Sequence, residues 1–194
     1  SRECVMATNV GGTANVLAVA SAQGWQQVHY VSTAYVCGNV TGTISESLGD
    51  RATPPEFHNP YEESKWLAEH LVSQWQRETG RVATILRPSI VIKSGPTDSR
   101  SGYYAFASAI TAASHIIRSS REQVMIPGDP DAPLNLILID DVTCAMRAVV
   151  EWSTWSLDRV HIVHITHPHP TRVADAFGSP LEWLGLDRWV VVAH

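Results

Sequence analysis

The sequence predicts an α/β protein in which helices flank a parallel β-sheet. Short, mostly apolar, β-branched segments alternate along the chain with longer segments of helical spacing, and polar stretches rich in Gly, Ser, Thr and Pro separate them. No internal repeat or clear linker interrupts this alternation. The 194 residues, 44% hydrophobic and 17% charged, are enough for one globular domain, which we assign to residues 1–194.

The first half of the chain predicts a helix, a strand, a long loop and a second helix. Residues 4–23 have helical character and end before Gly24, a residue type that commonly stops helices. The run "QVHYVS" at 27–32 is typical of a buried parallel strand. A polar stretch over 37–59 is predicted as loop, and the next helix runs from 59 to 79, before Gly80.

The second half continues the alternation of strands and helices. Strands are predicted over 81–92 (broken at Pro88), 134–139, 159–166 and 189–193. Helices are predicted over 103–120, 140–152 and 171–185. Asp140 and Asp141 stand where a helix begins, and acidic side chains there suit the helix dipole.

Composition and charge exclude several classes of function. A net charge of −5 and a pI near 5.9 come with no basic stripe for a nucleic acid. Three cysteines at unrelated spacings indicate neither a disulfide framework nor a zinc site, so a reducing compartment is expected. No apolar run approaches the ~20 residues of a membrane span, and the N-terminus lacks a signal-peptide layout. We therefore expect a cytoplasmic protein with no nucleic-acid partner and no membrane span.

Nine histidines raise the question of a metal site. His161 and His164 would point to opposite faces of a strand, and no carboxylate or cysteine clusters near His167 and His169. We predict no metal and assign these histidines to loops and the surface.

The chain lacks the glycine-rich turn that usually opens a dinucleotide-binding domain. Such a domain begins with a strand, a G-x-G-x-x-G turn and a helix. The nearest glycine cluster, "NVGGTANV" at 9–16, has neither that spacing nor a preceding strand. We therefore expect the chain to start within a domain, so that its sheet is N-terminally truncated.

The segment "NPYEESKWLAEHL" at 59–71 carries the clearest chemical pattern. Asn59, Pro60 and Glu62 predict a capped helix start with a capping box. Tyr61 and Lys65 then share a helix face, because residues four apart are neighbours on a helix. A phenol with a pKa of ~10 is a poor proton donor near neutrality, and a neighbouring ammonium lowers that pKa.

The order of several motifs along the chain resembles the extended short-chain dehydrogenase/reductase superfamily. The most specific of them are "STAYV", "NPYEESKW", "RPSIV" and the stretch from "PGDP" to "DDV". Within the superfamily, the sequence is most similar to the fatty acyl-CoA reductase and thioester reductase branch, the male-sterility-type reductases. The resemblance covers residues 7–170 and implies a Rossmann-like sheet.

The resemblance implies roles for four catalytic residues. Tyr61 would donate a proton to the substrate carbonyl, and Lys65 would lower the pKa of Tyr61 and hydrogen-bond the nicotinamide ribose. Thr33 would hold the carbonyl oxygen. Asn9 matches the asparagine that supports a water relay to the lysine in many members.

The resemblance also implies a cofactor and a reaction. Pro88, Ser89 and Val91 follow the strand that contacts the nicotinamide in the family, and so would bind the cofactor with Tyr61 and Lys65. NADP or NAD is implied, with NADPH favoured, for hydride transfer to an acyl thioester or a derived aldehyde. The family's helix pairing implies a homodimer.

Alternatives to the acyl reductase remain open. Sugar-nucleotide epimerases and 3β-hydroxysteroid dehydrogenases share the Thr, Tyr and Lys set. A truncated, non-catalytic interaction module that cannot bind cofactor alone is the alternative outside enzymes. Two positions also depart from the pattern: Cys37 stands where many members have tyrosine, and Lys93 where the branch usually has glycine.

Overall fold

The structure, a computed structural model, describes residues 1–93, 124–152, 154–183 and 189–192. The chain divides into two compact units. The first combines Ser1–Ser89 with Ile139–Thr166, and the second combines Ile90–Leu138 with His167–His194. The helix predicted over 103–120 lies outside the described residues.

The first half of the described chain alternates helices and strands as predicted, whereas the second half also has short strands in succession. Helix α1 comprises Arg2–Met6, a π-helical turn at Ala7–Gly11 and Gly12–Ala22; α2 is Pro60–Thr79, α3 is Ile139–Glu151 and α4 is Val173–Trp183. A 3₁₀ turn covers Ala34–Cys37. The strands are β1 Gln27–Val31, β2 Val82–Pro88, β3 Ile90–Ile92, β4 Val124–Pro127, β5 Pro133–Leu134, β6 Leu136–Leu138, β7 His161–Ile165, β8 Thr171–Arg172 and β9 Trp189–Val192.

The first unit is built on a parallel sheet. Among the described residues its strand order is β1-β2-β7, and both pairings are parallel. The predicted strand over 81–92 is divided at Ser89 rather than at Pro88: β2 pairs with β1 and β7, whereas β3 pairs with β6. The predicted parallel α/β sheet is confirmed.

Helices α1 and α2 pack on this sheet through a shared core. Leu17 and Ala20 of α1 meet Val72 and Trp75 of α2 in one buried cluster with Ile85 of β2. The Trp75 indole N–H also donates to the Ser21 hydroxyl at 2.8 Å. These contacts fix the two helices against each other, and α2 carries the segment at 59–71.

Helix α2 ends where the sequence predicts. Gly80 has a left-handed backbone conformation with φ 63°, and its N–H donates to the Gln76 carbonyl at 2.8 Å. Glycine adopts this conformation without a Cβ clash, so it closes the helix at little cost.

The second unit contains paired short strands and helix α4. Strands β3 and β6 are parallel, β4 and β9 are parallel, and β5 and β8 are antiparallel. The sequence did not predict β4 or β8, and its predicted strand over 134–139 covers β6 but only Leu134 of β5. Helix α4 starts at Val173 instead of 171, because residues 171 and 172 pair with β5.

Helix α1 bears on the prediction that the chain has no membrane span. Over Arg2–Ala22 the helix is long and apolar enough to cross a membrane by length and composition alone. Its Leu17 and Ala20 lie in the core of the first unit, but only 11% of its apolar window is buried, whereas a core helix that passes the same test is mostly buried. The absence of a span therefore stays a prediction.

A close contact in the second unit gives a test of packing. A Cβ added at Gly178 in α4 would lie 2.5 Å from the Trp189 ring. We expect Gly178→Ala to lower the free energy of unfolding by about 1–3 kcal/mol, because overpacking outweighs the gain in helix propensity. Gly12→Ala is the matched control: that helical glycine has open space around it, and the substitution should stabilise by about 0.5–1 kcal/mol. Urea denaturation measures both, and a stabilised Gly178→Ala variant would contradict the contact.

Candidate active site

The start of helix α2 is held by a reciprocal set of side-chain hydrogen bonds. The Asn59 Oδ1 accepts from the Glu62 N–H at 3.0 Å, and the Glu62 carboxylate accepts from the Asn59 side-chain amide at 2.9 Å. The same carboxylate accepts from the His58 N–H at 2.9 Å. Glu62 is buried. The predicted capping box is confirmed in this form, and it fixes the backbone that carries Tyr61.

We expect Asn59→Ala to lower the free energy of unfolding by about 0.5–2 kcal/mol, because it removes the acceptor for the Glu62 N–H. Asn59→Ser is the control, since serine also caps helices and should retain most of that stability. Thermal or urea denaturation of the two variants gives the comparison. Equal losses in both would mean that the side-chain cap does not stabilise the helix.

Lys65 lies at the carboxyl end of strand β1. Its ammonium donates to the Val31 carbonyl at 2.8 Å, 4.9 Å from the centroid of the Tyr30 ring and 5.9 Å from that of the Tyr61 ring. Burial lowers the pKa of Lys65, and the charge of Glu69 partly offsets this. The structure thus brings Lys65 beside Tyr61, as the spacing of four predicts.

Tyr61 keeps its proton in this arrangement. Its side chain is 46% exposed, and burial of the remainder raises the pKa of the Tyr61 phenol. This direction is opposite to the one expected from a neighbouring Lys65, because burial of the phenol sets the shift. A protonated phenol is the form that donates a proton.

Asn9 is linked to the same helix turn through a serine. The Asn9 side-chain amide donates to the Ser64 hydroxyl at 2.8 Å, and that hydroxyl donates to the Tyr61 carbonyl at 2.7 Å. Asn9 lies in the π-helical turn of α1, and its own carbonyl accepts from the Thr13 hydroxyl at 2.6 Å. The structure therefore places Asn9 next to the residue that precedes Lys65.

Thr33 lies just past β1, at the sheet edge where α/β proteins bind ligands. It is buried, and its hydroxyl caps the 3₁₀ turn by accepting from the Tyr35 N–H at 3.3 Å. Ser32 beside it is also buried, and among the described residues its hydroxyl has no hydrogen-bond partner. The sequence predicts both hydroxyls, Ser32 and Thr33, at the carboxyl end of this strand, and the resemblance to the family then selects Thr33 for the carbonyl oxygen.

The predicted cofactor residues after strand β2 lie in different units. Pro88 ends β2, opposite Ile165 of β7, and Ser89 is buried; both belong to the first unit. Val91 pairs with Ile137 in the second unit. Because β1 and β2 are parallel neighbours, Pro88 lies at the same sheet edge as Thr33. A cofactor role for these three residues stays a prediction.

The structure also shows the local geometry of the glycine pair and of the histidines that raised the question of a metal site. Gly11 and Gly12 have helical dihedrals inside α1, so this glycine pair does not form a phosphate-binding turn. Within the described part of the chain, no three His, Cys, Asp or Glu side chains form a group that would hold a metal. His161 contacts the Trp155 ring, whereas His164 lies beside Arg87.

The comparisons with known proteins match most of the chain to one family. The sequence profile of the male sterility protein family, an NAD-binding family, matches residues 2–146. The matched region includes Asn9, Thr33, Tyr61 and Lys65. It is a family of the extended short-chain dehydrogenase/reductase superfamily, as the motifs predicted.

Two curated relatives match different shares of the chain. A dTDP-glucose 4,6-dehydratase of Neisseria gonorrhoeae is 38% identical over 94 residues, which cover 43% of this chain and 25% of that protein. A glycine betaine reductase of Emericella nidulans is 27% identical over 195 residues, which cover 96% of this chain and 14% of that protein. The chain thus spans a small part of each relative.

A solved structure shares the fold. The dTDP-glucose 4,6-dehydratase DesIV of Streptomyces venezuelae, with NAD and TYD bound, superposes with a TM-score of 0.72 at 23% identity. The superposition covers 97% of this chain and 54% of that one. The likeness confirms the predicted Rossmann-like fold.

Proposed function

Because the chain belongs to the NAD-binding male sterility protein family, we propose that it is the reductase part of an NAD(P)H-dependent enzyme acting on an acyl-CoA, another acyl thioester, or the derived aldehyde. The observation that carries the proposal is the placement of Tyr61, Lys65 and Thr33 at one sheet edge within the matched region. The single reductase domain over 1–194 and the cytoplasmic location belong to the same proposal.

The residues present fit the nicotinamide side of such a cofactor. The Lys65 ammonium is the cationic donor beside Tyr61; the Val31 carbonyl engages one of its three N–H groups, so the others would donate to a ribose hydroxyl of a bound cofactor. Lys65, Tyr61, Pro88 and Ser89, all in the first unit, would hold this end of the cofactor. When bound, the cofactor supplies a hydride to the carbonyl carbon.

The chain's own residues handle the oxygen and the proton. Thr33 would donate a hydrogen bond to the carbonyl oxygen, and Tyr61 would transfer its phenolic proton to that oxygen as negative charge develops. With an aldehyde the product is an alcohol; with a thioester, loss of the thiol leaves an aldehyde. Burial raises the pKa of the Tyr61 phenol, so the phenol carries its proton at neutral pH but is a weaker acid than a free phenol.

A second enzyme class is favoured by one specific observation. The similarity to the dTDP-glucose 4,6-dehydratase reaches 38% identity over 94 residues, above the 27% with the glycine betaine reductase. A sugar-nucleotide substrate is therefore the alternative, along with a 3β-hydroxysteroid. We favour the reductase because the match to the glycine betaine reductase extends over 96% of the chain. A non-catalytic interaction module is the alternative outside enzymes.

A homodimer through α1 is part of the proposal. Val16 and Val19 are exposed on α1 at 53% and 50%, and apolar side chains on one exposed helix face are suited to pairing with a second copy. Trp66, in contrast, is buried within its own chain and packs against Phe57 and His70. Sedimentation of the chain and of a Val16→Glu variant would test pairing through this face.

The decisive experiment is a titration of the purified chain with NADPH and NADH, followed by nicotinamide fluorescence. Binding followed by NADPH consumption with an acyl-CoA, and none with dTDP-glucose, is the expected result. Consumption or conversion only with the sugar nucleotide would favour the alternative enzyme. No binding at millimolar cofactor would reject an autonomous reductase.

A further inference from the structure

A tyrosine outside the predicted site contacts the key lysine directly. Tyr30 lies on strand β1, and the Lys65 ammonium stands 4.9 Å from the centroid of its ring, within the ~6 Å range of a cation–π interaction. The Tyr61 ring is farther, at 5.9 Å. Of the two rings, that of Tyr30 is therefore the closer partner of the Lys65 charge.

The Tyr30 ring is fixed by its strand and by the core. Tyr30 pairs with Ile85 in the parallel ladder of β1 and β2, and Ile85 is fully buried. The ring packs against the buried cluster that also includes Val72 and Trp75. Burial raises the pKa of the Tyr30 phenol well above its usual range, so the ring is neutral and offers its negative face to the ammonium.

Lys65 needs such a partner because its charge is partly desolvated. Burial disfavours the charged form of Lys65. The Val31 carbonyl satisfies one donor at 2.8 Å. The carboxylate of Glu69 stabilises the charge from a distance, but it is itself bound to Arg87 in two hydrogen bonds. The Tyr30 ring stabilises the Lys65 charge at close range without accepting the lysine proton.

We infer that Tyr30 is a positioning residue for Lys65: its ring and the Val31 carbonyl form a seat that holds the ammonium at the carboxyl end of β1, beside Tyr61. The seat places the positive charge within 4.9 Å of the Tyr30 ring centroid and 5.9 Å of the Tyr61 ring centroid. Loss of the ring would free the long lysine side chain to sample solvent, and the charge would no longer be held next to the proton donor. Its importance for catalysis rests on the proposed function; the seat itself does not.

The chain is suited to a direct measurement because Lys65 and Lys93 are its two lysines. In protein labelled with ¹³C,¹⁵N-lysine, the ε-methylene signal of Lys65 should be shifted upfield by the Tyr30 ring and should show nuclear Overhauser contacts to the ring protons. Lys93, which is exposed, gives the reference, and a Lys93→Arg variant assigns the two signals.

Three variants separate the seat from general packing. Tyr30→Phe should keep the upfield signal, and Tyr30→Leu should lose it and move the signal to the position of an exposed lysine. Val28→Ala is the matched control, because Val28 lies on the same face of β1 and packs against the same cluster; it should leave the Lys65 signal unchanged. Loss of the signal in Val28→Ala as well would mean a packing effect and would overturn the inference.

The unchanged protein alone can also overturn the inference. Absence of contacts between the Lys65 ε-protons and the Tyr30 ring would do so even if Tyr30→Leu failed to fold. An upfield signal that persists in Tyr30→Leu but disappears in Tyr61→Leu would assign the seat to Tyr61 instead. These measurements do not require enzyme turnover, so a failure of the proposed function would not change their outcome.

Where the cofactor titration succeeds, Tyr30→Leu should weaken cofactor binding about tenfold and Tyr30→Phe should restore it, since a desolvated cation–π interaction contributes roughly 1–2 kcal/mol.

Discussion

Tyr61→Phe is expected to lower the turnover of NADPH-dependent carbonyl reduction by about 10²–10⁴-fold while leaving cofactor affinity nearly unchanged. The substitution removes the phenolic proton but keeps the ring that lies 5.9 Å from the Lys65 ammonium. Steady-state kinetics, together with the fluorescence titration, separates the two effects. Because burial raises the pKa of Tyr61, the unchanged protein should hold its reduction rate through neutral pH and lose it only on the alkaline side.

Two controls accompany this prediction. Tyr35→Phe changes another phenol whose pKa burial raises, in the 3₁₀ turn after Thr33, and it should change turnover by less than about twofold, as expected away from the proton path. Lys65→Ala should reduce both turnover and cofactor affinity, whereas Lys93→Ala should reduce neither. Full turnover in Tyr61→Phe would remove Tyr61 from the role of proton donor.

Local patterns in the sequence predicted local structure well. The capping box of Asn59 and Glu62 and the stop at Gly80 each depend on residues within one helix turn, and both are found as predicted. The contact of Lys65 with Tyr61 also follows from helical spacing. In each case the physical cause lies within a few residues, so the sequence contains it.

Contacts between distant segments could not be predicted in the same way. Tyr30 was an ordinary apolar strand residue in the sequence, and its contact with Lys65 arises only when α2 packs beside β1. The direction of the pKa shift of Tyr61 was missed for the same reason: spacing predicts a neighbouring ammonium but not how far the folded chain buries the phenol. The short strands β5 and β8 likewise form by pairing with each other, and each has too few residues for a periodic pattern.

Glu69→Gln is expected to lower the free energy of unfolding by about 3–5 kcal/mol, because it leaves the Arg87 guanidinium buried without its counter-charge. Glu69 and Arg87 are 0% and 3% exposed, and their two hydrogen bonds measure 2.9 and 2.7 Å. Arg87 also donates to the Ser47 carbonyl at 3.2 Å and lies 3.3 Å from the His164 ring. The pair therefore joins α2, β2, β7 and the loop before α2.

Two comparisons separate a buried unpaired charge from simple loss of a contact. The double variant Glu69→Leu with Arg87→Met should recover most of the stability, since an apolar pair of similar volume leaves no charge to desolvate. Glu151→Gln breaks an ion pair with Arg147 whose side chains are 61% and 78% exposed, and it should change stability by less than about 0.5 kcal/mol. Urea denaturation measures all three. If the double variant were as unstable as Glu69→Gln, the loss of stability would come from packing in α2 rather than from the unpaired Arg87 guanidinium. The ion pair would then have no special part in holding α2 to the sheet.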